Sequence, residues 1–176
     1  MLAGALGFGA LFAYISGSPL VLQVQLGQSP TAYAFTFGAI ALLFPISNAL
    51  NMRVVRSVAP RKVLVWALLI DACVTTILII LSLTRPSLVP VVACLAILAM
   101  MSGFISANAA ALAVEEIRAI GAGAGSGAMG FAQFLIAGVV PALVGLGSNH
   151  ALTMSVVSLV CAGAAFAGMQ VLTRAK

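Results

Sequence analysis

VLVWALLIDACVTTILIILSL, residues 63–83, decides the class of this chain. It is a run of twenty-one residues with one charged side chain, Asp71, and it follows directly on Pro60, Arg61 and Lys62. A hydrocarbon layer of about 30 Å requires about 20 predominantly apolar residues in a helix. Outward from this stretch the same texture recurs along all 176 residues: 63% are AVILMFWYC and 6% are charged, with a mean hydropathy of +1.24. A soluble domain carries about 25% charged residues, which excludes a water-soluble globule. Low charge with many aliphatic side chains also excludes disorder. At about 25 to 30 residues per span with its loop, the chain holds roughly six spans. The expectation is an all-α membrane protein, a single domain 1–176 of six transmembrane helices. The spans fall at about 3–22, 31–51, 63–83, 88–114, 120–146 and 151–172.

The first apolar run lacks the basic leader of a secretory signal and reads as a retained span. Ser29-Pro30-Thr31 offers the second span a cap with proline at its first helical position. Cys73, Cys94 and Cys161 all lie within apolar runs and are odd in number, which argues against a disulfide framework.

Net charge +5 could suggest nucleic acid, but the cations sit in loops, and no nucleic-acid partner is expected. Arg53, Arg56, Arg61, Lys62, Arg118, Arg174 and Lys176 fall on one side of the spans and only Arg85 on the other. Loops rich in Lys and Arg stay in the cytoplasm. Both termini are therefore expected there, in a multi-pass protein of the cell (inner or plasma) membrane.

Polar residues inside spans need a reason. Asp71 lies nine residues beyond Lys62, roughly 13 Å along a helix rising 1.5 Å per residue. A carboxylate at such depth faces protein or water, either as a proton site or as a buried acid bonded to a neighbouring helix. Tyr14 and Ser18 share a face of the first span, Asn108 lies in the fourth and Gln133 in the fifth. Each can line a cavity or join helices by hydrogen bonds. The run from Gly121 to Gly130 contains Gly125, Gly127 and Gly130 at phosphate-loop spacing, but without the strand such a loop requires. Gly121, Gly123, Gly125, Gly127 and Gly130 read instead as helix-packing glycines, because small residues let helices approach closely. There is no G-x-S-x-G or H-E-x-x-H, and His150 sits alone in a turn. No enzyme, cofactor or metal site is expected.

Several stretches resemble one family. Phe12-Ala-Tyr14-Ile-Ser-Gly-Ser18-Pro19-Leu20-Val-Leu-Gln23 resembles the seventh helix of the Bcr/CflA drug-resistance group of the major facilitator superfamily. Leu50-Asn51-Met-Arg53, with Arg56-x-x-x-Pro60-Arg61-Lys62, resembles its basic loop between helices eight and nine. Asn108-Ala-Ala-Ala-Leu112-Ala-Val-Glu115 resembles the end of helix ten, and Gly125-Ser126-x-x-Met-Gly130-Phe-x-Gln133-Phe134 resembles helix eleven. Ala59, where the family loop has glycine, and Phe44-Pro45 depart from the pattern.

The resemblance implies proton-coupled efflux of small, amphipathic, drug-like substrates by a protein of which this is the C-terminal six-helix half. An N-terminal six-helix half would then be its partner, with the substrate held where the halves meet. Arg53, Arg56, Arg61 and Lys62 become a cytoplasmic gating loop, and Tyr14, Ser18, Asn108 and Gln133 become cavity residues. Asp71, on a peripheral helix, becomes a buried structural acid. Tyr14-Ile15-Ser16-Gly17 echoes Phe104-Ile105-Ser106-Ala107, as inverted three-plus-three repeats would. Two alternatives remain: a homodimeric six-span permease or channel, and an inactive truncated transporter.

Overall fold

The computed structural model describes residues 2–84, 87–117 and 122–174, which hold only helices and short connections. Arg85, Arg118, Gly121 and Lys176 lie outside the described residues. Helix α1, Leu2–Pro19, runs into a π-helical segment, Leu20–Gln25. Pro19 explains the change of winding. Its nitrogen cannot donate to the previous turn and its ring crowds that turn's carbonyl, and the wider register follows, with Leu26 N donating to Val21 O at 2.9 Å. Gly27, at φ 69°, then takes the left-handed conformation that stops a helix.

The apolar run expected as one span over 31–51 remains one stretch, Pro30–Val54, built of two helices, α2 (Pro30–Ala41) and α3 (Leu43–Val54). Ser29 caps α2, its Oγ accepting from Ala32 N at 3.2 Å. The break at Leu42 has a cause in Pro45, which leaves the carbonyl four residues before it without a donor and sterically opposes it. Helix α4, Pro60–Leu83, starts with proline at its first position, where the missing N–H costs nothing. Helices α5 (Leu88–Ile117), α6 (Ala122–Gly145) and α7 (His150–Arg174) complete the chain. Among the described residues four stretches are long and apolar enough to cross a membrane: Pro30–Val54, Pro60–Leu83, Leu88–Val114 and His150–Gly168.

Helices α1, α4, α5 and α7 form the block. Helix α1 packs on α5, α6 and α7, and α4 packs on α5 and α7, while α3 reaches the block through α5. One core cluster draws Tyr14, Val74, Leu78, Leu95 and Met154 from these helices and adds Val21 and Leu22 of the π-helical segment, Ile40 of α2 and Val144 of α6. A second draws Leu64, Ala67 and Leu68 of α4, Ile105 and Ala109 of α5, and Ala162 and Ala165 of α7. Asp71, the twelfth of the 24 residues of α4, falls along the helix between the residues of the two clusters.

Close approach occurs where glycine permits it. A Cβ at Gly17 would lie 2.5 Å from Met154 Cγ, and one at Gly9 would lie 2.8 Å from Cys161 Sγ, so α1 and α7 nearly touch. At Gly103 a Cβ would collide with the Ser47 side chain and come within 2.8 Å of Phe44 O. Gly127 and Gly130, expected to hold helices together, face open space, where a Cβ would meet nothing within 4 Å. Their spacing permits a close neighbour, but among the described residues none comes near enough to be one. Gly123 and Gly125 lie in the first turn of α6.

Candidate functional site

The expected cavity residues begin with Tyr14 and Ser18 of α1, and the structure gives them partners that sequence reading missed. Tyr14 is 4% exposed, and its ring stacks on Phe37 of α2, with centroids 6.0 Å apart and planes 14° from parallel. Phe37 meets Tyr33, one turn earlier on α2, at 5.6 Å. Ser18 Oγ and Tyr33 Oη share a hydrogen bond of 3.3 Å across the two helices. The three rings thus run from half-buried Tyr33 and Phe37 to buried Tyr14. Ring separations of 4.5–7 Å are those at which aromatic pairs attract. The Tyr14 hydroxyl is buried with no hydrogen-bond partner among the described residues. The i, i+4 spacing of Tyr33 and Phe37 was the available signal, since such residues share a helix face.

Asn108 sits elsewhere. It is fully buried, and its Nδ2 donates to Asn51 Oδ1 at 2.7 Å and to Phe104 O at 2.8 Å. In this chain it joins α5 to α3, one of the two uses open to an intramembrane carboxamide. Asn51, its partner, is buried on α3. Gln133 is half-buried on α6. Among the described residues no hydrogen bond links Tyr14, Asn108 and Gln133 to one another.

The basic group gathers at one end of the bundle. Arg53 closes α3, Arg56 lies in the turn after it, and Arg61 and Lys62 open α4, all four exposed. Arg61 and Lys62 stand at a helix N-terminus, where the macrodipole disfavours cations. Their place there is not explained by helix stability. A cavity of ≈ 370 Å³ lies against Ile46, Ala49, Leu50, Met52, Arg53 and Arg56.

Asp71 is 1% exposed. Its Oδ2 has no hydrogen-bond partner among the described residues, so this oxygen lacks the bond to a neighbouring helix expected of a structural acid. Thr75 turns inward to its own helix, donating to the Asp71 backbone oxygen at 2.7 Å. The three cysteines are free, with Cys94 and Cys161 buried and Cys73 exposed.

At the opposite end a polar lock joins three helices. Asn149 caps α7, its Oδ1 accepting from Leu152 N at 3.2 Å and from Gln25 Nε2 at 3.1 Å. Its Nδ2 donates to Ser82 O of α4 at 3.0 Å. Gln25 Oε1 accepts from Ala151 N at 2.9 Å. Two first-turn donors of α7, which every helix start leaves unpaired, are met by one local and one distant carboxamide.

No protein-family model matches the chain, and no solved structure matches it. Over 154 residues it is 26% identical to a Bacillus subtilis (strain 168) protein named "Uncharacterized MFS-type transporter YdgK". The aligned stretch covers 88% of this chain and 38% of that protein, so the chain spans well under half the length of its relative. This similarity supports the major facilitator superfamily, a multi-pass membrane protein and a transport role.

Proposed function

We propose that this chain acts as the C-terminal six-helix half of a Bcr/CflA-type transporter that exports small, amphipathic, drug-like molecules in exchange for protons. Its similarity to a transporter across 88% of its length carries the reading. The uneven covering of its helices supports it. Only 11% of the most apolar window of Pro30–Val54 is buried, against 44% for Pro60–Leu83. Helix α6 leaves Phe131, Phe134, Leu135 and Val139 exposed. A half that closes against a second bundle would leave such faces bare, with the substrate between the halves.

Within this reading, Tyr14 and Ser18 face the substrate path, Gln133 approaches it from α6, and Asn108 sets the position of α3 beside it. Arg53, Arg56, Arg61 and Lys62 form the cytoplasmic gating loop, with both ends of the chain in the cytoplasm of a cell with an inner or plasma membrane. The only carboxylates are Asp71, Glu115 and Glu116. A proton-driven exchanger needs an ionisable group reached alternately from both sides. Asp71 is sealed in α4, so the coupling carboxylate is assigned to the N-terminal half.

The test is drug accumulation in efflux-deficient cells expressing this chain alone and then with a compatible N-terminal half. Uncoupler-sensitive efflux is expected only with both. Efflux from the purified chain alone in liposomes would overturn the half-transporter and favour a homodimeric permease. Reporter fusions after Gln28 and Ser148 should read external, and those after Arg56 and Glu116 cytoplasmic. An external signal at Arg56 would invert the topology.

A further inference from the structure

We infer that the seam between α1 and α2 binds uncharged, planar aromatic molecules, with the rings of Tyr33 and Phe37 as stacking faces and the Tyr14 hydroxyl as polar anchor. The inference deepens the transporter reading and rests on it for what the site is used for.

The seam is built unlike the rest of the bundle. Helix α2 packs on α3, α5 and the π-helical segment, and it meets α1 through side chains: the Tyr14–Phe37 stack and the Ser18–Tyr33 hydrogen bond. Tyr33 and Phe37 are each half-buried, so neither residue is sealed as Tyr14 is. Tyr at a membrane surface ordinarily turns its hydroxyl to the headgroups. Tyr33 instead turns its hydroxyl to Ser18 of the neighbouring helix, and Phe37 continues the aromatic face one turn deeper. A buried phenol without a partner forgoes a hydrogen bond that water would have given it. Tyr14 Oη lies below the surface, so a ligand carrying one hydroxyl or carbonyl supplies the missing partner by entering between Tyr14 and Phe37.

Charge selects the class. Residues 1–52 contain no Asp, Glu, Lys, Arg or His. A charged ligand entering the seam would lose its hydration with no counter-charge to replace it. A cation would retain only its attraction to the ring faces. A neutral ring with one polar substituent loses little on entry and gains both the stacking and the hydrogen bond.

The test is equilibrium dialysis of the purified chain in detergent, with protein-free micelles as background. The probes are 2-naphthol, its saturated counterpart decahydro-2-naphthol, and the permanent cation 2-naphthyltrimethylammonium. Saturable 2-naphthol binding is expected, at least about tenfold tighter than that of the saturated analogue if two rings contribute. Phe37→Leu and Tyr33→Leu should each weaken it by about three- to tenfold, and Tyr14→Phe by about two- to tenfold. Tyr33→Phe keeps the ring and should bind nearly as wild type. Helical circular dichroism separates lost binding from lost fold, and Tyr14→Phe remains decisive where a leucine variant fails to fold. Equal binding of the saturated analogue, tighter binding of the cation, or wild-type binding by Tyr14→Phe would each overturn the inference. Because binding is read without transport, its failure leaves the half-transporter standing. Conversely, naphthol binding without efflux in the presence of an N-terminal half overturns only the transporter reading.

Discussion

The block of α1, α4, α5 and α7 and the arm of α2 and α3 are both apolar, yet they are held in different ways. In the block, Gly9, Ala13 and Gly17 recur every four residues along α1, and α7 lies against them, with Ser158 Oγ donating to Ala10 O at 3.4 Å. In the arm, Phe35, Leu42, Ile46 and Met52 stand exposed, and attachment rests on an aromatic seam, one pair of asparagines and the close approach of Gly103 to Ser47 and Phe44. Small residues, more than large apolar ones, mark where helices of this chain meet. The reason is physical: between helices in lipid there is no hydrophobic drive, so association depends on close van der Waals approach and interhelical hydrogen bonds.

The largest expected effect breaks the block. Gly17→Leu places a side chain where Met154 already lies and should cost about 1–3 kcal/mol or more as overpacking, read as lost folded yield in detergent. Gly38→Leu in the arm and Gly127→Leu in α6 enter open space and should change stability by less than about 0.5 kcal/mol. Equal losses at all three would erase the distinction between the regions.

Next comes the polar lock that fastens the block at one end. Asn149→Ala removes a cap and the contacts to Gln25 and Ser82, at an expected cost of about 0.5–2 kcal/mol. Denaturant unfolding in micelles measures it, and Gln25→Leu should cost a similar amount by leaving Ala151 N unpaired.

A smaller effect tests the joint between block and arm. Asn108→Leu breaks the bond to Asn51, and a double-mutant cycle with Asn51→Leu should give a coupling of about 0.6–1.7 kcal/mol. With an N-terminal half supplied, the same change should alter drug recognition. A coupling near zero would mean the arm is not anchored there.

The smallest effect is expected at Asp71. Asp71→Asn keeps the shape, and Oδ2 has no partner to lose, so stability should shift by less than about 1 kcal/mol. Uncoupler-sensitive efflux of the assembled transporter should persist. Loss of coupling with intact expression would move the proton site from the partner half to α4.

Much of the fold was legible. Ser29 before Pro30, and Pro60 at the head of α4, mark helix starts because capping and proline geometry are local. The break at Leu42 was legible in principle from Pro45, but the apolar run around it reads as continuous. The small-residue rhythm at Gly9, Ala13 and Gly17 is as visible in the sequence as the denser run at 121–130. Spacing shows that a helix could be approached closely and does not show that a neighbour is there. Of the candidate site, Tyr14 and Ser18 were legible as polar residues of an apolar helix. Their partners Tyr33 and Phe37 were not, since only the turn after Gln25 brings α2 back against α1.

By itself the sequence determined that this chain is helical and suited to a membrane, because apolar length is a property of each segment alone, set against the thickness of a bilayer. Tertiary structure alone decided which helices touch, that Asn108 bonds to Asn51, that Gln25 reaches Asn149 across 124 residues, and that no described residue of another helix comes within 4 Å of a Cβ at Gly127. Those are properties of pairs. In an apolar solvent they are chosen by fit and hydrogen bonding between two particular surfaces, and neither surface read separately contains the other.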